Sequence, residues 1–194
     1  MAEQGAYLRG ILCAAALLCA SVVPACADDG HYCKLTAEDK AANAKLSFDD
    51  FDQNGTLPST WRALMQANCP GRAAEAADDY LVNGPPQTPE HKSDILFHEA
   101  QALAIMGDNA QASRLVAAAI PPDRASHGDL DWTAYLIGTW AFLVKDRATL
   151  DAASTKMMGE PGEDNRIDGN VLRGLQACFD KDYNTAYNAC RPKN

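Results

Sequence analysis

Basic clusters, long apolar runs and compact catalytic signatures are all scarce in this chain. No Lys/Arg run occurs, and the formal net charge is −9. Nucleic acid and anionic membrane surfaces both recruit clustered positive charge, so neither is expected as a partner. The first apolar run, Ile11–Val23, is too short and Ala-rich for the roughly 20 apolar residues that a transmembrane span requires, and no later stretch reaches them. Strand-type alternation is absent too, which excludes a β-rich fold. The chain has no CxxC pair, no phosphate-cradling GxxxxGK[ST] loop and no GxSxG elbow. Its Ser, His and acidic residues show no triad arrangement either. His98-Glu99 opens like a zinc-binding HExxH helix, but Ala102 stands where the second histidine belongs. Without two ligands one turn apart, His98 reads as an ordinary packed or solvated helix residue. His91 sits near a proline-rich helix start, and His31 and His127 lie in loop-like contexts. No cofactor is implied, and no reaction can be named.

What is present begins with a leader. Arg9 precedes the apolar run Ile11–Val23, and Ala25-Cys26-Ala27 stands before Asp28-Asp29. That order is a secretory signal peptide over residues 1–27, which is excluded from the fold. A second reading takes Val23-Pro24-Ala25-Cys26 as a lipoprotein box with an acyl anchor on Cys26, a pattern that Pro24 fits poorly. The domain at 28–194 is then expected to be periplasmic or secreted, or tethered as a lipoprotein. The leader carries one Glu and one Arg, so its removal leaves the charge at −9.

Three of the seven cysteines fall in the leader, leaving Cys33, Cys69, Cys178 and Cys190. An even set in an exported protein suggests up to two disulfides, with three connectivities open. Pairing in chain order is the simplest. Cys178, however, lies near the turn of the last hairpin and Cys190 further down its second helix. Their offset is about 9 Å at a rise of 1.5 Å per residue. Bridged Cα atoms lie within about 7 Å, so this pair requires the last helix to bend.

Residues 28–57 read as an N-terminal helix, Thr36–Ser47, and a loop through Asp49–Gly55. Thr36 with Asp39 gives a loose capping signal. Residues 58–82 form an irregular first hairpin, with a short helix carrying Trp61, Leu64 and Met65 and a second over Arg72–Val82. Three helix pairs follow the breaker Asn83–Pro89, at 93–120, 131–158 and 168–190. They comprise Ser93–Met106 with Ala110–Ile120, Asp131–Val144 with Ala148–Met158, and Asp168–Phe179 with Tyr183–Cys190. Each pair has a small residue in its first helix (Ala100, Gly138, Gly174), a polar turn seven residues on (Gly107, Lys145, Lys181) and a packing residue five beyond (Ala112, Leu150, Ala186). Small residues allow helix axes to approach within about 8–10 Å. This predicts an all-α domain of stacked antiparallel hairpins, whose apolar faces are buried by their neighbours.

ILFHEAQALAIMGDNAQASRLVAAAIPP carries Ala100, Gly107, Ala112, Ala119 and Pro121 in an order that resembles the tetratricopeptide repeat family. VLRGLQACFDKDYNTAYNAC follows it through Gly174, Ala177, Tyr183 and Ala186, whereas the third copy has Leu150 in place of the usual alanine. The likeness covers about residues 93–190. It implies a right-handed superhelix whose first helices line a concave, peptide-holding face. Phe97, Gln101, Trp132, Tyr135 and Thr139 would lie there. The same residues also suit structural roles, with Trp132 as a helix-start staple and Tyr135 as core filler.

Asp50, Asp52 and Asn54, ahead of Gly55, reproduce the first half of an EF-hand calcium loop. Pro58 and Trp61 break the second half, and Asx-turn chemistry accounts for the same residues. The leading expectation is an exported binding protein, not an enzyme, that recognises a protein or peptide in the cell envelope. Its acidity favours a basic partner, mainly through association rate. A periplasmic inhibitor or immunity protein against a toxin or cell-wall enzyme is the near alternative. The third is a cell-envelope enzyme with an unrecognised carboxylate site.

Overall fold

The computed structural model describes residues 33–122 and 130–192. The expected leader, Cys26, His31 and His127 lie outside the described residues. Within them the chain forms nine α-helices, a π-helical turn at Asp49–Gln53 and no strand. The helices are α1 (Ala37–Asn43), α2 (Trp61–Gln66), α3 (Pro70–Asn83), α4 (Pro89–Ile105), α5 (Asn109–Ala119), α6 (Trp132–Leu143), α7 (Arg147–Gly159), α8 (Glu163–Ala177) and α9 (Tyr183–Asn188). No described helix is long and apolar enough to cross a membrane.

Short polar side chains set the helix starts. Thr36, Thr88, Asp108, Asp131, Asp146 and Asp182 each accept a hydrogen bond from a first-turn backbone N–H. Each thereby satisfies a donor that the helix itself leaves free. At Thr36 the expected capping box is complete, because its own N–H donates to Asp39 Oδ2 at 2.9 Å. Pro70 and Pro89 occupy the first turns of α3 and α4, where a missing N–H is harmless. Those helices therefore start before the expected Arg72 and Ser93.

Three hairpins close with one turn. The N–H groups of Cys69, Asp108 and Asp146 reach back to Leu64, Leu103 and Ala141 carbonyls at 2.9, 3.0 and 2.8 Å. The preceding Asn68, Gly107 and Lys145 take φ of 59°, 89° and 61°. Asn and Gly enter that region readily. Lys145 is restrained there by its ammonium group, which donates to Phe179 O at 2.8 Å and lies 4.0 Å from the Phe142 ring centre. The α2–α3 hairpin, expected to be irregular, thus shares its turn with α4–α5 and α6–α7.

Successive hairpins pack through α3 on α4, α5 on α6 and α7 on α8, with α6 also against α8. The small residues lie at the closest approaches: a Cβ on Gly138 would stand 2.7 Å from Leu172. One on Gly174 would stand 2.9 Å from Arg191 Cα and 3.0 Å from the Ala186 carbonyl oxygen. Beyond α8 the chain turns back, and α9 packs against both α8 and α4.

Cys33 pairs with Cys69 and Cys178 with Cys190, at Cα separations of 5.5 and 6.1 Å. The doubt over the second pair assumed a straight helix through Cys190. Instead α9 ends at Asn188, and the chain beyond it returns Cys190 to the end of α8.

Candidate functional site

Asp52 is the buried centre of a side-chain cluster joining the N-terminal loop to α2 and α4. The π-helical turn makes this possible by sending adjacent side chains inward on different partners. Phe51 stacks on Tyr80 with ring centres 3.9 Å apart, and the Tyr80 hydroxyl donates to Leu46 O at 3.0 Å. Asp52, fully buried, places Oδ1 2.6 Å from Nδ1 of His98. Its Oδ2 accepts from Gln53 Nε2 at 2.6 Å and lies 3.9 Å from the Arg62 guanidinium. Arg62 also donates through Nε to the Asp52 carbonyl at 2.5 Å.

Trp61 fixes His98 from the other side. The two rings stack with centres 4.1 Å apart, and the indole N–H donates to the His98 carbonyl at 3.0 Å. Arg62 lies 5.0 Å from the Trp61 ring centre. An imidazole whose one nitrogen faces a buried carboxylate has its orientation, and hence the direction of its other nitrogen, set by that contact. The His98 side chain keeps 14% of its surface open. It is therefore an oriented and reachable group.

Two further carboxyls act on this cluster. Burial pushes Asp94 up to about 7, with His98 pulling the other way and Asp52 and Glu90 adding to the rise. Burial likewise lifts Asp168, on α8, to about 6 against the pull of Arg191 and His98. Tyr187 of α9 is raised by burial and lowered by Arg191, by a hydrogen bond with Gln101 and by Arg62. Gln101 also donates to the Tyr183 hydroxyl at 3.4 Å. Both signs of charge, an oriented imidazole and tyrosine hydroxyls thus share one inner region formed by α2, α4, α8 and α9. Such a set can hold hydrogen-bonding and charged groups of a ligand.

Phe97, Trp132 and Tyr135 come together, with ring centres 5.1, 5.2 and 5.8 Å apart. All three are buried, as is Thr139. The Trp132 indole donates to Ser93 Oγ at 2.8 Å, and Ser93 donates to the Ala119 carbonyl at 2.6 Å. Of the five residues expected on a concave face, only Gln101 is partly open. The others are buried, and Phe97, 6.0 Å ring to ring from His98 and packed on Tyr135, gives the polar cluster an apolar floor. Asp50, Asp52 and Asn54 do not converge. Asp50 accepts from Ser47 Oγ at 2.8 Å, Asp52 is buried against His98, and Asn54 is exposed. Among the described residues, no three His, Cys, Asp or Glu side chains are grouped to hold a metal.

The Asp52–His98–Trp61–Arg62 cluster escaped sequence reasoning because it joins segments far apart in the chain. Asp94 and His98, one helical turn apart, were its only local trace. His91, which has no part in it, stacks on Phe48 at 3.9 Å. A separate cleft of about 410 Å³ runs between α6 and α7, lined by Ile137, Ala152 and Lys156 among others. It is mainly apolar, and Lys156 on its lining is bonded to Asp131. Comparison with protein-family models, with curated proteins and with solved structures yields no match.

Proposed function

We propose that this chain is an exported, tetratricopeptide-like binding protein that recognises a protein or peptide segment in the cell envelope. Recognition uses the inner region around His98. One observation carries this reading: a buried carboxylate, Asp52, orients a partly open histidine that is also stacked on Trp61. Such an arrangement presents one hydrogen-bonding edge in a fixed direction, and fixed polar groups over an apolar floor suit selective recognition. Three hairpins with a common turn, and small residues at close helix approaches, support the repeat reading. The leader and the two cysteine pairs support a periplasmic or secreted location. The acidic surplus favours a basic partner.

Site-specific photocrosslinking in the envelope compartment tests the reading. A crosslinker at Arg62 should trap a partner that one at the exposed Arg114 of α5 does not, and His98→Ala should abolish the product. Equal capture from both positions would contradict it.

A second reading, a cell-envelope enzyme, is favoured by the same pair together with Asp94. A carboxylate-oriented imidazole can accept a proton, and a carboxyl lifted to about 7 can donate one near neutral pH. Loss of an envelope-hydrolase activity in His98→Ala, with partner capture intact, would select this reading.

A further inference from the structure

The last helix covers part of the inner face, against α4 and α8, as a ligand would. α9 is held at one end by Asp182, which caps it, and at the other by the bond between Cys190 and Cys178. Tyr183 and Tyr187 lie one turn apart, with ring centres 5.6 Å apart. Tyr183 meets the Phe142 ring edge-on at 6.0 Å and accepts from Gln101 of α4 at 3.4 Å. Tyr187 shares Gln101, and the buried Tyr135 feels both tyrosine hydroxyls together with Asp168 and Arg191. The outward residues Asn184 and Asn188 are exposed, so the helix is amphipathic and its aromatic side faces in.

We propose that the seat of α9 on this inner face, beside Gln101, is a docking surface for a short helix bearing tyrosines at positions i and i+4. The chain's own α9 fills it while Cys178–Cys190 is oxidised, and the face opens to such a segment of another protein when that bond is reduced by a dithiol. In the opening step a thiolate of the dithiol attacks one sulfur of the pair, and its second thiol resolves the mixed disulfide. Two electrons and two protons pass to Cys178 and Cys190, and the dithiol becomes a cyclic disulfide. A helix of six residues is too short to persist by itself, so its place depends on what tethers it. The two cysteine pairs differ at one sulfur: Cys33, Cys178 and Cys190 are all partly open, whereas Cys69 is buried at 1% exposure. The proposal rests on the recognition reading only in taking the inner face as the docking surface.

The test uses the full mature chain carrying Cys178→Ser and Cys190→Ser. A fluorescein-labelled peptide of residues 180–192, with serine in place of Cys190, is the probe. Amides of Tyr183–Asn188 should exchange at least tenfold faster than in the wild type, with the helical circular dichroism retained. The peptide should bind the variant at least tenfold more tightly than the wild type, and a peptide with both tyrosines changed to alanine should not bind. Wild type treated with dithiothreitol under native conditions is the independent arm, since it avoids any folding failure of the variant. Alkylation should label Cys178 and Cys190 before Cys33 and Cys69, with the same gain in peptide binding. Unchanged protection of α9 after the bond is opened would overturn the proposal, as would faster exchange without peptide binding. Neither outcome depends on the envelope partner, so failure of the crosslinking test is separable from failure here.

Discussion

Nδ1 of His98 lies 2.6 Å from Oδ1 of Asp52, across 46 positions of sequence. The contact ties the N-terminal loop to α4 and gives His98 its direction. A fully buried carboxylate is tolerated only where partners surround it: His98 and Gln53 each hydrogen-bond it at 2.6 Å, and the Arg62 guanidinium stands 3.9 Å away as a counter-charge.

Removing the imidazole should therefore cost more than neutralising the acid. His98→Ala leaves Asp52 buried with its main partner gone, and a loss of about 2–4 kcal/mol is expected. Asp52→Asn keeps a hydrogen-bonding group and should cost about 1–2 kcal/mol. Urea unfolding of both variants checks the order. Equal and small effects would mean that the pair is not closed in solution.

Stability should decline as pH rises towards neutrality. Burial lifts Asp94 and Glu99 to about 7 and Asp168 to about 6. An acid with a raised folded-state pKa binds protons more readily in the native state. Its penalty is absent below its ordinary value and grows until pH passes the folded pKa. The urea midpoint should thus fall between about pH 4 and 7 from these three groups. Glu99→Gln should recover about 1–3 kcal/mol at pH 8 and little at pH 4. A midpoint that rises through this window in the wild type, and is unmoved by Glu99→Gln, would refute the assignment.

Gly138→Ala and Gly174→Ala should both destabilise, although alanine is the better helix former by about 1 kcal/mol. The added Cβ of the first would meet Leu172 side-chain atoms at 2.7 Å, which rotation can partly relieve. That of the second would meet the backbone of Arg191 and Ala186 at 2.9 and 3.0 Å. Thermal melts should show the larger loss for Gly174→Ala, with the C-terminal segment loosened.

Thr139→Val offers a gain. The Thr139 hydroxyl is buried with no hydrogen-bond partner among the described residues, and a same-shaped apolar side chain removes that cost. A stabilisation of about 1 kcal/mol is expected. If partner capture survived this change and fell with His98→Ala, recognition would lie in the polar cluster above the floor.

Much of the architecture was legible because helix signals are local. Thr36, Asp108 and Asp146 mark starts by their own side chains, and Gly107 marks a turn through its freedom at positive φ. Asn68 hid its turn inside Asn-Cys-Pro, which reads equally well as a simple break. The buried Phe97, Trp132 and Tyr135 could be placed on α4 and α6 by helical spacing. For Trp132 and Tyr135 the structural reading stood beside the concave-face one, and both are buried, as is Phe97; the return of α9 onto α4 is a tertiary event that helical spacing does not show. For the same reason the cluster was invisible: Asp52, Trp61 and His98 are joined only once the loop, α2 and α4 have packed.

The most direct measurement is photocrosslinking from the Arg62 position in wild type and in His98→Ala, with the Arg114 position as control. Recognition through the His98 region predicts a discrete crosslinked product from Arg62 alone, lost in His98→Ala while the variant stays folded. A product that persists in His98→Ala, or that forms equally from Arg114, would contradict it.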